Sequence, residues 1–450
     1  MAARVDPTIE VKVFVDRERS RVIFAESGKE FVDVLLGFLT LPLGTVVRLL
    51  GKQSQVGCLD EIYKSVKGLP ADFFRTEACK AMLLKPINAA AQQCCQLSVR
   101  VDGTKRDGER PESSAAAAAG SDAGVFVKGD VKFIVTDDFL VAPASTSLML
   151  TLFDRFDVQD PSSLEQRTLH LSSDKMISLL KRSLTSKNAL TAHYFDSAIA
   201  ADDSAIDILT ENVYLERGND ADPSLNDVKI KVLQTKNNSS VLYAEVGANF
   251  VDLLFGLLCI PLGSIMKTYG KCASKGCVDN LYGSIDGNAQ ECMRSECRIS
   301  LLSPKLAPFF GCSTSKLLQV EEQDPGKEAN CIYTDYFHRE FRHPNRPRQH
   351  FPENARTTDN PGCDPKSPSG ERDNGEGYVK QEARKFMVTD DLQVLPLSLA
   401  STLQVVSVAK TQRKDLVEKQ IALTKPQVLE LLKAALVTRK ALTSVFLPRE

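Results

Sequence analysis

The chain has 450 residues, more than one ordinary hydrophobic core holds, so its length predicts two domains. Its 43% hydrophobic and 25% charged residues are typical of a globular protein. The net charge of −2 gives no basic excess for binding nucleic acid, and the lack of tryptophan argues against a surface that stacks bases.

The sequence gives no sign of secretion or of membrane insertion. Its first residues contain no apolar signal segment, and their acidic side chains are unlike a transit peptide. The longest apolar stretch, Phe31–Leu50, is interrupted by Asp33, Pro42 and Arg48, whereas a membrane span needs about 20 mostly apolar residues. We therefore expect a cytoplasmic or nuclear protein whose thiols are reduced.

The twelve cysteines do not predict a metal site. Most of them stand inside apolar patterns, where a free cysteine behaves as a small hydrophobic residue. None of them forms the CxxC pair that zinc sites use. We assign no metal ligand and expect no cofactor.

The first predicted elements are a β-hairpin and a helix. Val11–Val15 and Val22–Ala25 are β-rich runs separated by charged residues, which is typical of a hairpin. Apolar residues at helical spacing over Phe31–Leu39 then predict a helix that is buried on most sides. Gly37 lies inside it, and close approach of another backbone is the simplest reason for a glycine there. Pro42 ends the helix.

Shorter helices and further strands follow. Thr45 is the expected N-cap of a short second helix, and a third helix covers Leu59–Val66. Strand signals at Lys132–Val135 and Thr168–Leu171 precede a last helix. Each half of this segment would then be a strand-strand-helix arrangement.

The whole pattern occurs twice. Val11–Lys67 aligns without a gap on Ile230–Asp286, with about 23 of 57 positions identical. AESGKEFVDVLLGFLTLPLG becomes AEVGANFVDLLFGLLCIPLG, and GCLDEIYKS becomes GCVDNLYGS. VTDD and the terminal LLK…ALT also recur in order. We predict an α+β fold made by tandem duplication.

The copies are expected at 1–215 and 228–450, with a linker at 216–227. Unmatched polar inserts interrupt them at about 102–124 and about 321–377, and their low apolar content predicts disorder.

Two motifs resemble functional loops and have simpler interpretations. GTVVRLLGK, from Gly44, has six residues between its glycines where a phosphate-binding loop has four, so helix caps are favoured. Thr136–Asp138 and Thr389–Asp391 pair carboxylates between apolar runs. A magnesium or general-base role would need further acidic partners, and a turn is favoured.

Single polar residues are also candidates. Asp33 and Asp252 lie inside an apolar helix and must be paired or hydrogen-bonded if they are buried. A structural bond to the N–H groups of a neighbouring loop is favoured over an active centre. His170 and His193 have no histidine counterpart in copy 2 and belong to no recognisable motif. We assign no catalytic residue.

The second insert contains five cysteine and histidine residues that could bind a metal ion. Their spacing fits neither Cys₂His₂ nor Cys₄ zinc sites, and arginines and aromatic residues stand between them. A solvated basic loop is favoured, with weak RNA or acidic-partner binding and metal binding as alternatives. The five residues are Cys331, His338, His343, His350 and Cys363.

The repeated blocks quoted above, with VTDD and LLK…ALT, resemble a plant family described as domain of unknown function 674. The resemblance covers both copies without the inserts. It implies an internally duplicated plant protein with no established activity. Many members carry a cysteine-rich stretch similar to a zinc knuckle in the insert. Cys331 stands where that stretch begins but its partner cysteines are absent, which implies that any such zinc site is lost here.

Three classes of function are compatible with the sequence. A non-enzymatic protein-interaction or scaffold module is favoured, since duplicated domains can present two related surfaces to an unknown protein partner. A small-ligand binder or enzyme of unrecognised type would need a pocket near Asp33 or Thr136–Asp138. RNA binding would use the arginine-rich insert and should weaken steeply with salt.

Overall fold

The computed structural model shows a mixed α+β protein, as expected. Ten strands and sixteen α-helices lie in the part of the chain that it describes. The predicted linker at 216–227 lies outside this part. The described residues are 7–101, 124–129, 131–196, 228–237, 240–270, 276–324, 364–367, 377–382, 384–408 and 415–447.

The two copies repeat the same order of elements, in agreement with the duplication. Copy 1 contains β1 (Ile9–Asp16), β2 (Arg21–Ser27), α1 (Lys29–Phe38), α2 (Leu43–Leu49), α3 (Leu59–Gly68), α4 (Glu77–Leu84), α5 (Ala91–Cys94), β3 (Phe133–Thr136), β4 (Val141–Pro143), α6 (Thr146–Arg155), β5 (Glu165–Leu171), α7 (Ser173–Thr185) and α8 (Ala189–Tyr194).

Copy 2 contains β6 (Lys229–Thr235), β7 (Val241–Val246), α9 (Ala248–Gly256), α10 (Leu262–Tyr269), α11 (Val278–Asp286), α12 (Ser295–Leu302), α13 (Ser313–Leu317), β8 (Phe386–Thr389), β9 (Val394–Pro396), α14 (Leu399–Val408), β10 (Leu416–Ala422), α15 (Lys425–Val437) and α16 (Ala441–Phe446). None of the helices in the described ranges is long and apolar enough to cross a bilayer.

Each copy builds one antiparallel five-stranded sheet. The strand orders are β4-β3-β2-β1-β5 and β10-β6-β7-β8-β9, which are the same arrangement. Along β1, buried and less buried residues alternate, so one face of the sheet carries Val11, Val13 and Val15 into the core. The first half of each copy runs strand-strand-helix. The second half runs strand, strand, helix, strand, helix, helix, so a strand-strand-helix repeat within the copy stays a prediction.

Helix α1 is the buried helix that the sequence predicts. Every residue from Phe31 to Phe38 is buried, and the chain turns at Pro42. Two details were wrong. The next helix begins at Leu43, and Thr45 lies inside it, where its hydroxyl donates to the Pro86 carbonyl (3.2 Å) instead of capping. A Cβ at Gly37 would meet side chains, the nearest being Leu97 at 3.2 Å, and not another backbone.

The two copies cross where α1 and α9 end. The Leu43 N–H donates to the Ile260 carbonyl (3.0 Å), and the Leu262 N–H donates to the Leu41 carbonyl (2.9 Å). These bonds flank an antiparallel bridge between Pro42 and Pro261. The crossing is therefore held by main-chain atoms and is completely buried.

The glycine of each LPLG block lets the backbones approach at this crossing. A Cβ on Gly44 would lie 3.0 Å from the Leu258 carbonyl oxygen, and one on Gly263 would lie 3.0 Å from the Leu39 carbonyl oxygen. Both distances are shorter than ordinary contacts of a Cβ atom, so the shared glycine has a packing reason.

Beyond the crossing, one helix of each copy packs against the other copy. Helix α3 of copy 1 packs on β9 and α9 of copy 2. At its start the Cys58 N–H donates to the Ala435 carbonyl (2.8 Å), and near its end the Ser65 hydroxyl accepts from the Val394 N–H (2.8 Å). The GC…YxS motif is therefore a docking motif between the copies.

Copy 2 makes the same contacts in return. Helix α11 packs on β4 and α1 of copy 1. The Cys277 N–H donates to the Ser183 carbonyl (2.8 Å), and the Ser284 hydroxyl accepts from the Val141 N–H (2.9 Å). We call the unit of sheet β1–β5 with α1, α7, α8 and α11 lobe 1, and the unit of sheet β6–β10 with α9, α15, α16 and α3 lobe 2.

Two short antiparallel β-bridges also join the copies. Val127 of copy 1 pairs with Met293 of copy 2, and Phe74 of copy 1 pairs with Val379 of copy 2. One continuous hydrophobic cluster contains buried residues of both copies. We call all these contacts between the copies the seam. The expected copies at 1–215 and 228–450 are repeats in sequence, but each lobe contains residues of both.

Substitution of the seam glycine Gly276 tests this packing. A Cβ at Gly276 would lie 1.9 Å from the Ser183 carbonyl oxygen, so Gly276→Ala forces the two copies apart. We expect the free energy of unfolding in urea to fall by about 1–3 kcal/mol, as for overpacked cores.

Gly283 is the matched control, because it lies in the adjoining helix α11 and a Cβ there meets nothing within 4 Å. Gly283→Ala should stabilise the protein by up to about 1 kcal/mol through helix propensity. Equal effects of the two substitutions would contradict the close approach at the seam.

Candidate functional site

Asp33 is a buried anchor for the chain that returns from the first insert. Its Oδ2 accepts from the Val125 N–H (2.6 Å), and its Oδ1 accepts from the N–H groups of Phe126 (2.8 Å) and Val127 (3.1 Å). The residue is 3% exposed. Three converging donors offset much of the desolvation of a carboxylate. The favoured structural interpretation of Asp33 is therefore confirmed.

Asp252 does the same in copy 2. Its Oδ1 accepts from the N–H groups of Tyr378 (2.8 Å) and Val379 (2.9 Å), and its Oδ2 accepts from the Gln381 side-chain amide (3.1 Å). Burial raises the pKa of Asp33 and raises the pKa of Asp252 to about 7, while the backbone donors lower both. Each acid thus fixes the segment that carries a seam bridge.

The TDD motifs are turns that hold the last helix of each copy. Asp137 accepts from the N–H (2.7 Å) and hydroxyl (2.6 Å) of Thr191, and Asp390 accepts from the N–H (2.8 Å) and hydroxyl (2.7 Å) of Thr443. Phe139, next in the first turn, has a left-handed backbone with φ of 61°. The turn interpretation is confirmed, and it explains why ALT recurs with TDD.

The GTVVRLLGK segment forms helix α2 and not a phosphate loop. Gly44 lies in the first turn of the helix, and Gly51 follows its end with φ of 65°. Glycine adopts this left-handed conformation without steric cost, as helix ends often require. The helix interpretation is confirmed.

The histidine candidates do not come together. His170 is exposed, with Nδ1 3.7 Å from the Glu10 carboxylate. His193 is partly buried on α8, and burial lowers its pKa. In the described ranges, no three His, Cys, Asp or Glu side chains are placed to hold a metal ion. The five insert candidates, namely Cys331, His338, His343, His350 and Cys363, lie outside those ranges.

One short piece of the second insert is packed against the body. The prediction of disorder over about 321–377 is wrong at 364–367, where Asp364, Lys366 and Ser367 are buried. The Lys366 ammonium donates to the Gly311 carbonyl (2.6 Å), and the Pro365 carbonyl accepts from the Thr76 hydroxyl (2.8 Å). These specific bonds offset the ordering entropy that composition alone predicts to dominate.

Lys366 belongs to a polar cluster that sequence patterns did not reveal. Its ammonium lies 5.3 Å from the centre of the Tyr378 ring. The Tyr378 hydroxyl donates to the Phe310 carbonyl (2.9 Å) and contacts the Cys259 sulfur (3.4 Å). Burial raises the pKa of Cys259 and Cys312, which keeps both thiols protonated near neutral pH.

Differences in sequence between the two copies could have pointed to this cluster. In the gap-free alignment Cys259 stands where copy 1 has Thr40. Tyr378 donates its N–H to Asp252 as Phe126 does to Asp33. At this place copy 2 therefore has a phenol where copy 1 has a phenyl ring, and a thiol where copy 1 has a hydroxyl.

Helix α14, outside the second sheet, carries two of the three most exposed large hydrophobic side chains among the described residues, and the third is Ile299 on α12, 73% exposed. Leu399 is 85% exposed and Leu403 is 70% exposed. They are four residues apart and so share one side of the helix. Val405 and Val406 pack on the sheet, against the cluster of Leu242, Tyr243 and Met387.

Comparison with protein families gives two matches that together span most of the chain. The family model described as "Protein of unknown function (DUF674)" matches residues 5–108 and 107–426. No curated protein matches the chain. No solved structure matches it either.

The anchoring role of the two acids is tested by isosteric substitution. In Asp33→Asn or Asp252→Asn, an amide N–H₂ replaces one acceptor and faces backbone N–H donors. Leaving a buried donor without its acceptor costs about 1–3 kcal/mol, so we expect a loss of that size in the free energy of unfolding. Asp154→Asn, at an exposed position of α6, should leave stability unchanged. An unchanged unfolding curve for Asp33→Asn would refute the anchor.

Proposed function

We propose a non-enzymatic role in protein interaction for this chain, which belongs to the DUF674 family. The docking face is the outer side of helix α14, and its occupant is an apolar face of a partner protein. The observation that carries the proposal is the exposure of Leu399 and Leu403 on a helix without charged residues. Adjacent exposed apolar residues on one face are typical of interaction surfaces.

The chemistry of α14 fits an apolar contact. Its sequence, LASTLQVVSV, contains no Lys, Arg, Asp or Glu, so a partner would not have to desolvate a charge there. Leu399 and Leu403 supply the apolar contact, and Ser and Thr side chains lie beside them. A rigid helix backed by a sheet presents such anchors with little loss of entropy.

The counterpart helix in copy 1 lacks this surface. Helix α6 buries Leu152 and Phe153 on its own sheet, and its last two residues are Asp154 and Arg155. On α6, whose residues are all described, Leu150 is the one exposed large hydrophobic residue, at 53%. The proposed face is thus a property of copy 2, so the copies need not present two equal surfaces.

A small-ligand or enzymatic role has less support. The acids near which its pocket was expected, Asp33, Asp137 and Asp138, each accept hydrogen bonds from backbone or threonine donors. RNA binding through the arginine-rich insert remains an alternative, and that segment lies outside the described residues. Steep weakening of binding with salt would favour it.

Charge placed on α14 tests the proposed face. We expect the double substitution Leu399→Glu and Leu403→Glu to abolish binding of any partner that docks there, since it buries two unpaired carboxylates in the contact. Extract of the source organism is passed over immobilised wild-type and variant protein, and captured proteins are identified by mass spectrometry. A candidate is accepted only if the purified pair rebinds in one-to-one ratio.

Leu150→Glu on α6 is the matched control and should bind the partner as well as the wild type does. All three proteins should unfold at similar temperatures, because the changed side chains are exposed. A partner that binds wild type and the double variant equally well would remove α14 from the interface.

A further inference from the structure

We propose that the seam also accepts a second copy of this chain, giving a dimer in which the repeats are exchanged. Copy 1 of one chain pairs with copy 2 of the other, and the remaining two copies pair likewise. Each resulting body has lobes 1 and 2 as described above. The partner is thus defined by the seam itself, and the proposal is independent of the role proposed for α14.

The reciprocity of the seam supports this proposal. The contact of Cys58 with Ala435 in lobe 2 is repeated by Cys277 with Ser183 in lobe 1, both at 2.8 Å. Every lobe is incomplete without a helix from the other copy. The seam contacts given above all join described residues within the two copies, so the same contacts form whichever chain supplies the helix.

The joining segment has the reach that exchange needs. Residues 197–227, which are 31 residues, connect the last described residue of copy 1 to the first of copy 2. A chain of that length spans at most about 100 Å when extended. Two linkers can therefore connect two bodies that lie side by side.

Concentration decides between the closed chain and the exchanged dimer. Because the two copies are joined covalently, each meets the other at an effective concentration of roughly millimolar, so dilute chains close on themselves. Exchange preserves every seam contact and loses only this advantage. Because the crossing at Pro42 and Pro261 is completely buried, the choice is made during folding, and the dimer persists when it is diluted.

A disulfide across the seam distinguishes exchange from ordinary surface association. Val127 and Met293 form an antiparallel bridge flanked by the bonds Lys128 N–H to Cys292 carbonyl and Arg294 N–H to Phe126 carbonyl. This is the narrow, non-hydrogen-bonded type of pair, with Cα atoms about 4.5 Å apart, which suits a disulfide. The test protein is the full chain with Val127→Cys and Met293→Cys.

The double variant is unfolded in reductant and refolded at about 1 µM and at about 0.5 mM, well below and near the millimolar effective concentration. Monomer and dimer are separated by size-exclusion chromatography with light scattering, diluted, oxidised and run on a denaturing gel without reductant. We expect the closed monomer to crosslink within one chain. We expect the dimer to crosslink between two chains, and its share to rise about tenfold or more with concentration.

Two results would overturn the proposal. One is a dimer whose crosslinks all close within single chains, which would be surface association. The other is the absence of any dimer at both concentrations. The chain with its native cysteines, oxidised in parallel, gives the background crosslinking that is subtracted, because Cys95 is a free, exposed thiol. If the first pair does not crosslink in the monomer, Phe74→Cys with Val379→Cys replaces it, since that bridge has the same flanking bonds.

Discussion

Main-chain hydrogen bonds between the copies, at the point where two buried helices end, are the constraint on which the rest of the structure depends. Pro42 and Pro261 each follow a buried helix and have extended backbone geometry, and the N–H groups of Leu43 and Leu262, which begin the next helices, reach across. Buried polar backbone must be paired, and here each copy satisfies the other. The copies therefore cannot separate without exposing apolar core and unpaired main chain.

This constraint explains which residues the two copies share. Gly44 and Gly263 allow the crossing, and Gly57 and Gly276 allow α3 and α11 to dock on the opposite copy. The shared aspartates support the seam indirectly. Asp33 holds the segment at Phe126–Val127, and Val127 in turn forms a seam bridge with Met293. The repeated motifs thus supply many of the contacts that hold the two copies together.

Local structure was readable from the sequence, because it depends on nearby residues. The hairpin near Val11, the helix from Phe31 and the break at Pro42 follow from alternation, helical spacing and proline geometry. The turns at Asp137 and Asp390 follow from the chemistry of aspartate. Periodicity shows that a face is buried, however, and does not show what covers it. The sequence therefore did not predict that α3 and α11 each pack on the other copy. It also did not predict that Lys366 is packed, because the composition of its segment is typical of disorder.

The difference between the lobes is where function is most readily placed. Some seam residues are identical in both copies, such as Ser65 and Ser284, whereas Leu399 of α14 and the cluster around Tyr378 occur in lobe 2 alone among the described residues. A duplicated protein whose core must stay symmetrical can still vary its outer helices. Surface helices tolerate such change because few contacts depend on them.

The most direct test of the intertwined architecture is to cut the chain between the copies. A protease site is placed between residues 201 and 220, the folded protein is cleaved, and the product is followed by size-exclusion chromatography and thermal unfolding. We predict that the two fragments elute together and unfold in one cooperative transition. Fragments that separate in native buffer, each with its own transition, would show that the copies fold independently and would contradict the seam.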